Sequence, residues 1–115
     1  MGQYYVIANI DKKQRIVPLA FGDGSKLMEF SMSSEGVLTA LAVLLASGNG
    51  KGGGDLESED PIIGSWAGDR IVIAGDYADS GLFGYDKANI YDIAMTEFED
   101  ISSDVLAAVG SSFRI

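Results

Sequence analysis

The chain has 115 residues, 47% of them hydrophobic, and seventeen acids against eight bases give a net charge of −9. It has no Cys and no His, which excludes disulfides, thiolate nucleophiles, Cys/His zinc sites and imidazole acid–base chemistry. This size predicts one α+β domain over residues 1–115, in which a metal would be a hard oxygen-liganded ion and a general base would be a carboxylate, Lys or Tyr.

No apolar run reaches the roughly 18 residues of a membrane span. The opening Met1-Gly2-Gln3-Tyr4-Tyr5-Val6 lacks the basic and long apolar segments of a signal peptide. Val6 stands where a myristoylation signal carries Ser or Thr. The expectation is a cytoplasmic protein that engages no membrane. The charge is uneven. Residues 1–54 carry four acids and five bases, whereas residues 55–104 carry thirteen acids and two bases. Such a surface repels a nucleic-acid backbone, so no direct nucleic-acid binding is expected; it suits a basic partner or serves solubility alone.

Gln3–Ile10 alternates Tyr4, Val6, Ala8 and Ile10 against Tyr5 and Ile7, the pattern of a strand. Asp11–Gln14 breaks it, and Arg15–Ala20 resumes, which predicts a hairpin with a short loop. Pro18 lacks a ladder donor and predicts an edge position for this second strand. Lys12, Lys13 and Arg15 cluster at the hairpin tip, as a basic patch or as a solvated turn. Phe21–Ser25 is a turn by composition, and Gly22 and Gly24 around Asp23 allow backbone amides to converge on an anion. No Gly-Lys-Ser/Thr follows, so this is not a Walker loop. Lys26–Phe30 fits a strand or a helix lead-in.

Ser33–Ser47 predicts a helix, capped by Ser33 or Ser34, with Glu35 in its first turn and Gly48 ending it in a left-handed cap. Its apolar residues nearly encircle it, which predicts a buried central helix packed across the sheet against Ile71–Ile73. Gly48–Pro61 holds a glycine cluster around Lys51 and then four acids: a mobile anion-binding lid or a disordered connector.

Ser65–Tyr77 is the stretch around which the other elements are expected to pack. Ile71-Val72-Ile73-Ala74 is apolar on both alternating faces, which predicts a central strand. Asp69 and Arg70 precede it and point to opposite faces, so one must find a partner or reach water. Asp76 and Asp79 follow it, as a shared cation site or as caps of turn amides, without the spacing of a calcium loop. Leu82–Lys87 reads as a loop, Ala88–Met95 as a short helix, and Thr96–Ile101 as a strand. Ser102 or Ser103 then caps a last helix, with Asp104 in its first turn and Val105, Leu106 and Val109 facing inward. Gly110 ends that helix, and Ser111–Ile115 is a tail. The expected whole is a mixed, mostly antiparallel sheet of four or five strands with a buried central helix and a C-terminal helix.

Four motifs carry a resemblance: Gly2-Gln3-Tyr4-Tyr5; Phe21-Gly22-Asp23-Gly24 followed by Lys26-Leu27; Trp66-Ala67-Gly68-Asp69-Arg70 followed by Gly75-Asp76-Tyr77; and Asp100-Ile101-Ser102. With them the chain resembles a family of small proteins of unassigned activity scattered through bacteriophages, prophages and prokaryotic genomes. The resemblance implies a small accessory protein of a mobile element. It carries over no catalytic residue. Family members often have a His just before the Phe-Gly-Asp-Gly stretch, where this chain has Val17-Pro18-Leu19-Ala20, so a His-dependent activity would be lost here.

Three functions fit. The first is a non-enzymatic binding protein that engages a host protein with a basic surface or sequesters a small phosphate-bearing ligand. Its candidate ligand-binding residues are Gly22, Asp23, Gly24, Lys26, Lys51, Trp66, Asp69 and Arg70. The second is a small Mg²⁺-dependent hydrolase or transferase using Asp69, Asp76 and Asp79, although seven residues of strand span about 23 Å. The third is a structural subunit. No cofactor is implied.

Overall fold

The computed structural model describes residues 2–32 and 35–110. Four strands, β1 (Tyr5–Asn9), β2 (Gln14–Ile16), β3 (Ile71–Gly75) and β4 (Glu99–Asp100), form one sheet in the order β3-β1-β2-β4. The pairs β1·β2 and β1·β3 are antiparallel and β2·β4 is parallel. With helices α1 (Leu27–Phe30), α2 (Val37–Leu45), α3 (Ile90–Glu97) and α4 (Ser102–Val109), this is the α+β architecture expected, with a mixed, mostly antiparallel sheet.

The centre of the sheet is β1, and β3 is an edge, which corrects the expectation of a central Ile71–Ala74 strand. Both segments are apolar on alternating faces, so periodicity does not rank them. Burial does: Val6, Ile7 and Ala8 are fully covered, whereas Ile73 is 40% exposed. The predicted hairpin forms, with Lys13 in a left-handed conformation at its turn. Its second strand ends at Ile16 and lies between β1 and β4, so Pro18 marks no edge. Pro18 instead opens a 3-10 helix, Pro18–Phe21, where its missing N–H is no loss.

The alternation along β1 divides the core. Ile7 and Ile16 face one cluster with Phe21, Phe30, Val37, Leu44, Trp66 and Val105, so α2 and α4 cover that face. Val6, Ala8 and Ile10 face the other, with Ile90, Ala94 and Phe98 of the α3 region.

Helix α2 is shorter than predicted. Its run of Leu and Ala favours helix, but Gly36 does not, and the helix starts after it. The predicted caps Ser33 and Ser34 lie outside the described residues. The first turn is capped from a distance: the Asp23 carboxylate accepts from the Val37 N–H at 2.8 Å. A β-carbon at Gly36 would fall on that carboxylate, so the glycine makes room for the cap. At the other end Ala46 turns extended, and Gly48 is not the left-handed cap expected. The N–H groups of Gly64 and Trp66 donate to the carbonyls of Val43 and Leu44, both at 2.9 Å. Only one stripe of the helix is buried, Val37, Ala40 and Leu44, while Ala42 and Leu45 are exposed. It packs on α4 and the 3-10 helix rather than across β3.

Helix α3 confirms the Ala88–Met95 expectation and extends it: Asn89 caps it by accepting from the Asp92 N–H at 2.9 Å. Its extension through Glu97 absorbs the first half of the predicted Thr96–Ile101 strand, leaving β4 with two residues. Helix α4 starts one residue after Ile101, so Ser102 is its first residue rather than its cap. The Ser102 hydroxyl accepts from the Val17 N–H at 3.0 Å, tying α4 to the end of β2. No helix among the described residues is long and apolar enough to cross a membrane.

Candidate functional site

The end of the sheet where β1 turns into β2 holds the densest set of charged contacts. Asn9 is the last residue of β1 and is fully buried. Its side chain works in both directions: Oδ1 accepts from the Lys12 N–H at 2.8 Å, and Nδ2 donates to Asp69 Oδ2 at 2.8 Å. The Lys12 ammonium meets the same Asp69 oxygen at 2.6 Å. Beside it, the Arg70 N–H and Nε donate to the two Asp11 oxygens at 2.7 and 2.8 Å. Asp69 and Arg70 therefore both find partners, and both partners are in the hairpin turn.

These pairs act on the carboxyls. The Lys12 ammonium, and after it the Asn9 amide, hold Asp69 below its ordinary value. The Arg70 N–H, and then its guanidinium, do the same for Asp11. Neither is a general base poised near neutral pH. The third basic residue of the tip, Arg15, points the other way. Its guanidinium donates to the carbonyls of Ala94, at 3.0 Å, and Phe98, a cation at the C-terminal end of α3. The basic tip is thus neither a free patch nor a solvated turn: Lys12 and Arg15 fasten it to other elements.

The remaining predicted site residues scatter. Gly22 sits in the left-handed conformation closing the 3-10 helix, and the N–H groups of Gly22 and Asp23 donate to Leu19 and Pro18. Those amides are spent inside the chain, and the Asp23 side chain is the cap of α2. They do not form the expected anion cradle. Gly24 has room only for a hydrogen because the Glu29 carboxylate lies against it, and that carboxylate accepts from the Lys26 N–H at 3.1 Å. The Lys26 side chain lies along Gly2. Trp66 is fully buried core, its indole N–H donating to Gln14 Oε1 at 2.8 Å. Lys51 lies in the glycine loop, where its N–H donates to Asp55 Oδ2 at 3.0 Å. No hydrogen bond or ion pair among the described residues joins Lys26, Lys51 and Arg70.

The loop from Gly48 to Pro61 is neither a lid over those residues nor a plain connector. Asn49 clasps it: Nδ2 donates to the carbonyls of Leu56 and Ser58 at 2.8 and 3.2 Å, and Oδ1 accepts from the Leu56 N–H at 2.9 Å. The clasp turns Leu56 onto the α2 face of the core. Sequence reasoning overlooked Asn49, Asn9 and Gln14. The only available signal was an Asn between glycines, a residue type that bonds local backbone.

Asp76 lies at the far end of β3 from Asp69. Its Oδ1 accepts from the Tyr4 N–H at 2.9 Å, and nothing joins it to Asp79. Among the described residues no group of three or more carboxylates gathers as a metal site.

A cleft of about 490 Å³ opens beside the hairpin turn. Pro61, Ile62, Ile101 and Ala107 give it apolar walls, and Asp60, Glu99 and Asp104 give it three exposed carboxylates. Lys12, the one cation lining it, is held by Asp69. The cleft joins a negative potential to an apolar surface. Comparison of the chain with family models, with curated proteins and with solved structures finds no match.

Proposed function

We propose that the protein is a non-enzymatic interaction protein that receives a basic, partly apolar segment of another protein in the cleft between Ile62 and Ile101. The observation that carries this reading is the state of the cations. Lys12 and Arg70 are committed to Asp69 and Asp11, while Asp60, Glu99 and Asp104 stay exposed around the cleft. A phosphate-bearing ligand would need the reverse arrangement. A Mg²⁺-dependent hydrolase would need Asp69 and Asp76 together, and they flank β3 at opposite ends. An accessory role in a bacteriophage or mobile element, implied by the motif resemblance, belongs with this reading, and the partner is then a host protein.

The test is capture from host lysate at low and at high salt, with mass spectrometry of proteins and of heat-released small molecules. Wild type is compared with Glu99→Lys/Asp104→Lys. A protein captured at low salt, released at high salt and missing from the variant supports the proposal. Capture that the variant leaves unchanged, or a nucleotide released with the protein, overturns it.

A further inference from the structure

The two edges of the sheet are treated differently. The β4 edge is two residues long and both are acidic, which discourages another strand from pairing there. The β3 edge, Ile71-Val72-Ile73-Ala74-Gly75, has five residues with no charge and no proline. Its pairing with β1 fixes which groups are spare. The Ile10 N–H donates to the Arg70 carbonyl and the Asp76 N–H to the Tyr4 carbonyl, both at 2.9 Å, so even-numbered residues bond inward. Ile71, Ile73 and Gly75 therefore turn their N–H and C=O groups outward. Among the described residues only the Gly75 carbonyl has a further partner, the Ala78 N–H at 3.0 Å.

We propose that β3 pairs antiparallel with β3 of a second copy about a two-fold axis at Ile73. This register sets Ile71 opposite Gly75 and Ile73 opposite its own mate, and it satisfies the outward groups with about six backbone hydrogen bonds. It also covers Ile73, which is 40% exposed in the single chain. The charges flanking the strand choose the register. Arg70, whose side chain is 74% exposed, comes opposite Asp76 of the other copy, twice by symmetry. Sliding by one step in one direction sets Gly68 opposite Asp76, and in the other sets Asp69 opposite Asp79, a like-charged pair. The edge is self-complementary in one register, which selects a second copy as its occupant.

The experiment is sedimentation of the full chain from about 1 to 200 µM, in about 0.15 M salt so that the repulsion between two chains of net charge −9 is screened beyond about 8 Å. A concentration-dependent dimer is expected. Ile73→Lys sets two ammonium groups opposite one another and weakens it about tenfold or more. Ile73→Pro removes one outward donor on each copy and also weakens it. Unchanged emission of the buried Trp66 shows that these variants fold. The chain has no Cys, so Ile73→Cys gives a clean cross-link: paired residues here have Cα atoms about 5.5 Å apart, within disulfide reach. Rapid oxidation to a dimer at position 73, with none for Met28→Cys on an exposed helix, supports the register. A chain that stays monomeric at 200 µM, or a dimer that Ile73→Lys leaves intact, overturns the proposal.

Discussion

Replacing Asp23 separates a structural role from a ligand-binding one. Its carboxylate is 7% exposed and receives the Val37 N–H, which belongs to a fully buried residue. Asp23→Ala leaves that donor buried and unpaired, a loss of about 1–3 kcal/mol, and removal of a helix N-cap gives a similar about 0.5–2 kcal/mol. A central figure of about 2 kcal/mol lowers the melting temperature by about 8 °C. With a urea dependence of about 1.5 kcal/mol/M it moves the midpoint down by about 1.3 M, with unchanged slope. Asp23→Asn keeps an acceptor but not the charge at the helix terminus, and loses about half as much. Gly36→Ala pushes a methyl into the carboxylate, so its cost shrinks when Asp23 is already Ala; a double-mutant cycle in urea measures this coupling. A midpoint for Asp23→Ala within about 0.2 M of wild type refutes the capping argument, because the donor would then have found another acceptor.

Asn49→Ala opens the loop clasp. Its bonds are only part-buried, so global stability falls by about 1 kcal/mol, while limited proteolysis between Gly50 and Ser58 accelerates far more. Gln14→Ala leaves the buried Trp66 N–H without its acceptor and costs about 1–3 kcal/mol; urea unfolding followed by the emission of this single Trp reads it directly. The folded chain holds Asp11 and Asp69 below their ordinary 3.8, so their stabilisation is present above that pH and is lost as pH falls through the lower folded values. Melting temperatures from pH 6 down to pH 2 then converge for wild type and Asp11→Asn/Asp69→Asn. Burial raises Tyr91, helped by Asp76 and Asp92, so the folded chain loses stability as pH rises above 10.0, and Tyr91→Phe flattens that loss.

The elements that could be read from the sequence are those whose signals are local. The first strand and its hairpin, helix α3 and helix α4 all follow from alternation or helical spacing in one segment. What could not be read depends on distant residues. Ile71–Ala74 and Tyr5–Ala8 carry the same apolar pattern, and only pairing on both sides makes β1 the centre. The ends of α2 were misplaced because its caps come from residues 23, 64 and 66. Of the candidate site, Asp69 and Arg70 were rightly seen as needing partners, but the partners, Lys12 and Asp11, lie more than fifty residues earlier. Gly22, Asp23 and Gly24 looked like an anion loop because the same glycines that free amides for a phosphate also free them for a tight turn. Composition does not distinguish the two.

The borrowed caps of α2 impose an order on synthesis. A chain growing from its N-terminus has the Asp23 stopper before the helix exists. The acceptors at the other end, Val43 and Leu44, must wait for Gly64 and Trp66, with the whole glycine-rich loop made in between. A nine-residue helix is too short to stand alone in water. The nascent segment therefore frays from its C-terminal side until the tryptophan arrives. Once Trp66 enters the core and reaches Gln14, the helix end, the loop and the hairpin are closed by one event.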